Sequence, residues 1–325
     1  MAKFSGRLVD LGIGKEAVAG TGIAPDLWLP WTELSVADKV VDARRGPSLG
    51  RLADSEQRHV LTKYAEGNVG AAVRSQTVGY LLYSLLGTLS TTGPTDEAYT
   101  HAFSINNASS GTTLALTVVD KNEANMYRRA VVRSLELEVP LDDVALLTAD
   151  FVARTAATSS GTASYSTDTK FPKNDTKVKF AAAVGDLAAA SAISPKRVRL
   201  TMAREIIMDD VLGTSEPEDY LAANISIEGE VELNYEDQTY RDFFKGGSYR
   251  AMEIKLQNTG VTIGSGSTNP SLTIQLPRVD FFEWEPNYPL DDISSQRFSF
   301  KASYDVANSL EPISTCSLVN GKTSY

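Results

Sequence analysis

The stretch Ile225-Ser226-Ile227-Glu228-Gly229-Glu230-Val231-Glu232-Leu233-Asn234-Tyr235 alternates its side chains with a period of two. Ile225, Ile227, Val231, Leu233 and Tyr235 fall on one side, and Ser226, Glu228, Glu230, Glu232 and Asn234 on the other. That is the pattern of a strand with one buried and one wet face. Its centre has a precedent in Glu66-Gly67-x-Val69, which stands 162 residues before Glu228-Gly229-x-Val231. At the same displacement Ser75-Gln76-Thr77-Val78 with Leu81-Leu82 is answered by Asp237-Gln238-Thr239-Tyr240 with Phe243-Phe244. Leu114-x-Leu116-x-Val118 matches Leu272-x-Ile274-x-Leu276 at 158, and Pro140-Leu141-Asp142-Asp143 returns verbatim as Pro289-Leu290-Asp291-Asp292 at 149. Ordered blocks at a slowly falling offset point to two copies of one supersecondary unit. A chain of two alike halves builds symmetry more readily than a catalytic cleft.

Around these blocks the punctuation is that of short helices and long strands. Ser75 and Asp237 stand where a side-chain oxygen can accept from the free amides of a first helical turn, so both are expected N-caps. After them Val78, Leu81 and Leu82, and then Tyr240, Phe243 and Phe244, recur at helical spacing until Gly87 and Gly246. Each half thus carries one short amphipathic helix whose apolar stripe is expected to pack on a sheet. Leu135, Leu137 and Val139 alternate with Ser134, Glu136 and Glu138, and further strand-like runs complete a mostly antiparallel set.

The first 25 residues are rich in glycine and alanine with little period, and are expected to order only against a neighbour. Thr155 to Thr169 is built mainly from serine, threonine, alanine and glycine, the composition of a flexible connection. The chain therefore divides into an N-terminal arm (1–25), a first module (26–154), a Ser/Thr-rich linker (155–171) and a second module (172–325). The expected fold class is α+β, mainly β: two tandem antiparallel β-sandwich or half-barrel modules, each with one flanking α-helix.

At 325 residues the chain has room for two domains, each burying its own core. Apolar residues make up 42 % and charged residues 22 %, an ordinary globular composition. No apolar run approaches a membrane span, and the N-terminus lacks a basic stretch followed by an apolar core, so a soluble protein without membrane partners is expected. The formal net charge of −10 disfavours tight binding of nucleic acid. Arg44-Arg45, Arg128-Arg129 and Lys196-Arg197-x-Arg199 read as solvated loops or strand edges.

Catalytic chemistry has few places to stand. The lone thiol, Cys316, permits no internal disulfide, and the two histidines, His59 and His101, both fall in strand-like runs. There is no nucleophile elbow, no His-Glu-x-x-His and no phosphate loop. Asp142-Asp143 and Asp291-Asp292 each follow Pro-Leu and read as turns rather than cation sites. Gly264-Ser265-Gly266-Ser267 reads as a hairpin loop. No catalytic residue, metal site or cofactor is expected, and the chain is not read as an enzyme.

Together these residues carry a resemblance. A strand entering with Glu-Gly-x-Val, a capped helix Gln76-Thr-Val-Gly-Tyr-Leu-Leu-Tyr-Ser-Leu-Leu-Gly87, then Tyr99-x-His101-x-Phe103 and Leu114-Ala-Leu-Thr-Val-Val-Asp120, resembles the major tail tube protein of long-tailed, siphovirus-like bacteriophages. The similar stretch runs from Leu27 to Arg154, and a diverged copy fills Val178 to Asp305. Many such proteins carry one copy, so the duplication is a departure.

The resemblance implies a β-sandwich whose long inner strands join those of neighbours in a closed ring, with rings stacked into a tube that conducts the genome. Closure leaves no unpaired strand edges. Two copies per chain would make a homotrimeric ring with pseudo-sixfold symmetry, the alternative being a homohexamer. Implied partners are the tape-measure protein, tail terminator and baseplate proteins, with transient non-specific passage of DNA. Implied localisation is the virion tail, assembled in the host cytoplasm. Glu66, Glu228, Glu230 and Glu232, with Glu136 and Glu138 as second choices, are the candidates for a negative lumen wall. The loops 38–56 and 207–219 and the N-terminal arm are the candidates for contacts between rings. The competing reading is another β-sandwich virion component, a baseplate hub or fibre-associated carbohydrate-binding module, which would expose aromatic side chains on one face.

Overall fold

The structure is a computed structural model and describes residues 3–43, 50, 52, 58–108 and 111–325. Arg44-Arg45, Gly46-Pro47 and most of the 38–56 loop lie outside the described residues.

The first half contains β1 (Asp10–Lys15), β2 (Leu27–Leu29), β3 (Trp31–Ala43), β4 (His59–Ala72) and α1 (Thr77–Leu86). It continues with β5 (Gly87–Thr95), β6 (Ala98–Ile105), β7 (Leu114–Val119), β8 (Ala124–Val139), β9 (Leu146–Ala153) and β10 (Ala157–Thr158). The second half contains β11 (Lys177–Ala181), β12 (Ala192–Ile193), β13 (Pro195–Asp209), β14 (Asp219–Asn234) and α2 (Thr239–Gly246). There follow β15 (Arg250–Gln257), β16 (Ser271–Asn287), β17 (Ser295–Ala302) and β18 (Thr315–Asn320). The fold is mainly β, every strand pair is antiparallel, and the helices lie on the sheets.

The longest strands form one continuous sheet in the order β3-β4-β9-β8-β13-β14-β17-β16. Around it, β4 pairs with β9 as β14 pairs with β17, β7 with β8 as β15 with β16, and β1 with β2 and β7 as β11 with β12 and β15. The irregularities coincide as well. β8 skips a pairing at Arg133 against β9, and β16 skips one at Phe282 against β17. β3 skips one at Thr32 against β4, and β13 one at Lys196 against β14. Leu114–Val118 and Leu272–Leu276, however, hold different places. The former lies in β7 between β1 and β8, whereas the latter opens β16 between β15 and β18. Alternation alone matched them, because every half-buried strand alternates.

The Glu-Gly-x-Val motif has a packing reason. Gly67 and Gly229 sit on the inward side of β4 and β14, beneath Phe151 of β9 and Phe300 of β17. A methyl group at Gly229 would lie under 3.0 Å from both Phe300 Cζ and the Arg199 carbonyl oxygen. At Gly67 it would meet Phe151 Cζ and the Ser35 carbonyl oxygen in the same way. Each glycine lets the ring on the neighbouring strand approach its backbone closely, which restores the burial that a side chain would have supplied.

One apolar core runs through both halves, from Leu11 and Leu82 to Phe298 and Leu318, rather than two separate cores. α1 is buried along nearly its whole length because the β5–β6 hairpin and Tyr325 cover its outer side, with the Tyr325 ring against Gly79. α2 carries no fully buried residue; Tyr240, Phe243 and Phe244 pack inward, with Tyr240 stacked on Phe298 at 4.7 Å. Val78, Leu81 and Leu82 make the corresponding contact under α1.

Several expectations about connecting segments are corrected. Residues 10–15 are not an arm awaiting a neighbour: β1 lies between β2 and β7 with Leu11 and Ile13 fully buried. Glu16 fastens its end, its carboxylate accepting from Gly20 N, Gly22 N, Arg129 N and Thr113 Oγ1. Glycine at 12 and 14 masked the strand's period, yet both positions abut the returning segment at Ile23–Pro25. The linker, flexible by composition, is pinned: Tyr165 donates to Asp10, Lys170 bridges to Arg74, and Asp168 reaches the start of α1. That contact also corrects the helix cap. Ser75 Oγ donates to Asp168 Oδ1, and it is Asp168 that accepts from Gln76 N and Thr77 N at 2.8 and 3.1 Å. A cap supplied from 92 residues away has no local signal. Asp237 does accept from Thr239 N at 2.8 Å, and the left-handed residue that ends α2 is Gly247, one past Gly246.

Candidate functional surface

The polar face of the long sheet gathers every glutamate singled out in the sequence. Register alone places them. Glu66 lies between Ala37 and Val152, Glu136 between Thr148 and Thr201, and Glu138 between Leu146 and Arg199. Across β13, Glu228 lies between Thr201 and Lys301, Glu230 between Arg199 and Ser299, and Glu232 between Arg197 and Arg297. The opposite face of these strands supplies Leu135, Leu137, Val198, Leu200, Val231 and Phe298 to the core. A one-residue slip in any strand would exchange the two sets, so core burial holds the glutamates outward.

The surface differs from a purely acidic wall. Lys39 Nζ lies 3.1 Å from Glu66 Oε1, with Arg133 3.8 Å from Oε2. Arg199 meets Glu136 at 2.5 Å and Arg197 meets Glu138 at 2.6 Å. Lys301 donates to Glu228 at 2.8 Å, and Arg297 spans Glu230 and Glu285. Glu232 makes no ion pair among the described residues. The Lys196-Arg197-x-Arg199 cluster is therefore neither loop nor sheet edge: Arg197 and Arg199 stand mid-sheet between two rows of glutamate. Acid and base on neighbouring strands are the cross-strand neighbours that such a face favours. With Glu33, Asp150, Asp280, Glu283 and Glu285, which the register puts on the same face, the carboxylates are eleven against the six cations Lys39, Arg133, Arg197, Arg199, Arg297 and Lys301, so the face stays acidic while its cations are paired.

The pairing tunes the charges in both directions. Hydrogen bonds from Lys301 and then Ser226 hold the Glu228 carboxyl below the usual carboxylate range. The hydrogen bond to Glu136 raises Arg199 above the usual guanidinium value, and that to Glu285 does the same for Arg297. These side chains are well solvated, so the pairs contribute little to stability, on the order of 0–1 kcal/mol each. Their consequence is chemical: among the described residues, every cation on the face already has a carboxylate in reach.

Other sequence candidates are structural. Asp143 and Asp292 each accept from the next residue's amide at 2.7 Å, in the β8–β9 and β16–β17 turns. His59 opens β4. His101 lies in β6, buried, its Nδ1 against Thr91 Oγ1 and its Nε2 near Asn320 Oδ1 and the Lys322 carbonyl. The 207–219 segment turns back over the first half: Tyr220 donates to the Ala153 carbonyl, Arg129 pairs with Asp219, and Lys63 N donates to the Ser215 carbonyl. Sequence reasoning missed this latch because its partners lie far along the chain. Among the described residues no cluster of His, Cys, Asp and Glu could hold a metal ion, and no helix is long and apolar enough to cross a membrane.

The chain is thus a mainly antiparallel β protein with its longest strands in one sheet, a charge-paired polar face on one side and helices on the other. Residues 6–302 match the family of phage tail tube proteins, and the chain belongs to that family. No curated protein matches it as a relative. Membership makes it a structural component of a phage tail rather than an enzyme, a subunit that assembles with itself into a tube and with other tail components.

Proposed function

We propose that the chain is an internally duplicated tube subunit, of which three copies close a ring with pseudo-sixfold symmetry, and that stacked rings form the conduit for the genome. The observation that carries this reading is the β8–β13 junction, where the sheet of the first half continues into that of the second without interruption. The duplication is supported by the matching strand partners, the matching bulges and the two glycine–phenylalanine pairs. Among the described residues the sheet ends at β3 on one side and at the second half of β16 on the other, and open edges of such length call for a partner. A homohexamer would double the number of wall segments and is the lesser reading.

The polar face lines the hole in this proposal. A conduit must pass a polyanion without holding it, since each lysine or arginine that binds phosphate adds affinity through counterion release. Here the cations are engaged by carboxylates, so a phosphate would have to displace a charge-assisted pair to gain a contact. The exposed Ile207 and Leu212, at the far end of the β13–β14 hairpin, suit contacts between successive rings. A tape-measure protein within the bore, terminator and baseplate proteins at the ends, and assembly in the host cytoplasm complete the proposal.

Electron microscopy of the concentrated protein, with mass measurement of the smallest assembled species, tests it. Rings or tubes built in units of three times 35.1 kDa are expected. A monodisperse monomer at every concentration overturns the reading, and a ring of six chains overturns the trimer.

A further inference from the structure

Taking the ring reading as its basis, the proposal here concerns which residues meet where one copy joins the next. The chain contains a worked example of the joint. At the β8–β13 junction Glu138 stands opposite Arg199, Glu136 opposite Thr201 and Ser134 opposite Ala203. β16 occupies in the second half the place of β8: each is followed by Pro-Leu-Asp-Asp, and the bulge at Arg133 reappears 149 residues on at Phe282. β3 occupies the place of β13, with the bulge at Thr32 reappearing 164 residues on at Lys196. Among the described residues, β3 and the Asp280–Asn287 part of β16 are also the strands that leave the long sheet with an unpaired edge.

We infer that β3 of one copy pairs antiparallel with the end of β16 of a second copy, in the register Ser35–Asn287, Ala37–Glu285 and Lys39–Glu283. The register follows by carrying each pair of the internal junction through the two displacements. Chemistry that played no part in the transfer agrees with it. Lys39, 45 % exposed, arrives opposite the exposed Glu283, which places opposite charges on the same rung. On the inward side the exposed Tyr288 comes over Leu34, as Val139 meets Val198 inside the chain. At the rung where Pro286 would meet Val36, β16 has no main-chain donor to give, so the joint carries one hydrogen bond fewer than a ladder without proline could.

Disulfide trapping in assembled material tests the register. Directly opposed Cα atoms lie about 4.5–5.5 Å apart across an antiparallel pair, within disulfide reach, whereas a slip of two residues adds about 6.6 Å along the strand. Cys316 is buried and will not compete. Under mild oxidation, Ser35→Cys with Asn287→Cys, and independently Ala37→Cys with Glu285→Cys, should convert monomer into linked dimers and trimers on a non-reducing gel. Ser35→Cys with Glu285→Cys should not, while Glu138→Cys with Arg199→Cys should close within one chain. Tubes in which only the slipped pair links overturn the register and leave the ring reading standing. Tubes in which neither in-register pair links overturn the joint itself. Unmodified protein that forms no ring or tube under the microscope overturns the ring reading and the joint with it.

Discussion

Replacing Gly229 by alanine probes the motif that organises the sheet. The added methyl would lie under 3.0 Å from the Phe300 ring and from the Arg199 carbonyl oxygen, and the second of these belongs to backbone held in the β13–β14 ladder. Overpacking of this kind costs about 1–3 kcal/mol. Alanine is also intrinsically better than glycine in a strand, by about 0.5–1 kcal/mol. With two close contacts rather than one, the steric cost falls at the upper end, and a net loss of about 2 kcal/mol is expected. In urea, with a slope of about 3 kcal/mol per molar, the midpoint should fall by about 0.7 M. Phe300→Leu in the same chain removes the ring but leaves the carbonyl, so the double variant should be less destabilised than the sum of the singles by about 1 kcal/mol. Gly67→Ala, beneath Phe151 and beside the Ser35 carbonyl, should lose at least as much. A neutral or stabilised Gly229→Ala protein, or strict additivity with Phe300→Leu, would refute the reasoning, because backbone entropy alone predicts a gain.

Four further outcomes are expected. Asp168→Ala removes the acceptor shared by Gln76 N, Thr77 N and the buried Thr77 hydroxyl, and should cost about 1–2 kcal/mol in chemical denaturation; an unchanged midpoint would remove the linker's role as a cap. Burial lowers the His101 pKa below its ordinary 6.5, so the unfolded chain takes up the proton first. The associated stability is present above pH 6.5 and lost as pH falls below it, and His101→Gln should flatten the denaturation profile on the acid side of pH 6.5. Burial pushes the Cys316 thiol up to about 12, so labelling by a disulfide reagent at pH 8 should proceed only at the rate of unfolding; prompt reaction in native buffer would contradict the packing around β18. Arg199→Gln breaks the pair with Glu136 and should shift stability by less than about 1 kcal/mol, read by the same titration; a larger loss would mean that the polar face is not solvent-screened.

What could be read from the residues was whatever is local and periodic. Alternation through Ile225–Tyr235 told which side chains of β14 face the core, and the recurrence of Glu-Gly-x-Val and Pro-Leu-Asp-Asp marked strands and turns that have like neighbours in the sheet. The same periodicity misled at Leu114 and Leu272, since alternation reports burial on one face but not strand order. Partners remote in sequence left no trace: Asp168 above α1, the β13–β14 hairpin over Ala153, and Tyr325 against Gly79. The glutamates of the polar face were legible and their cations were not. Arg297 and Lys301 gain meaning only when β17 is laid beside β14, which brings them against residues far back in the chain.

The seam between β6 and β18 sets a condition on when a subunit is ready. Asn320 lies 219 positions beyond His101, and its side chain reaches both that ring and the Ser75 carbonyl, while Tyr325 closes over α1. A ribosome must therefore have passed Asn320 and Tyr325 before an early hairpin and the first helix acquire their covering. Prematurely terminated molecules would retain an unzipped margin and a bare helix, leaving chaperones and proteases a means to distinguish them before they enter a growing tail.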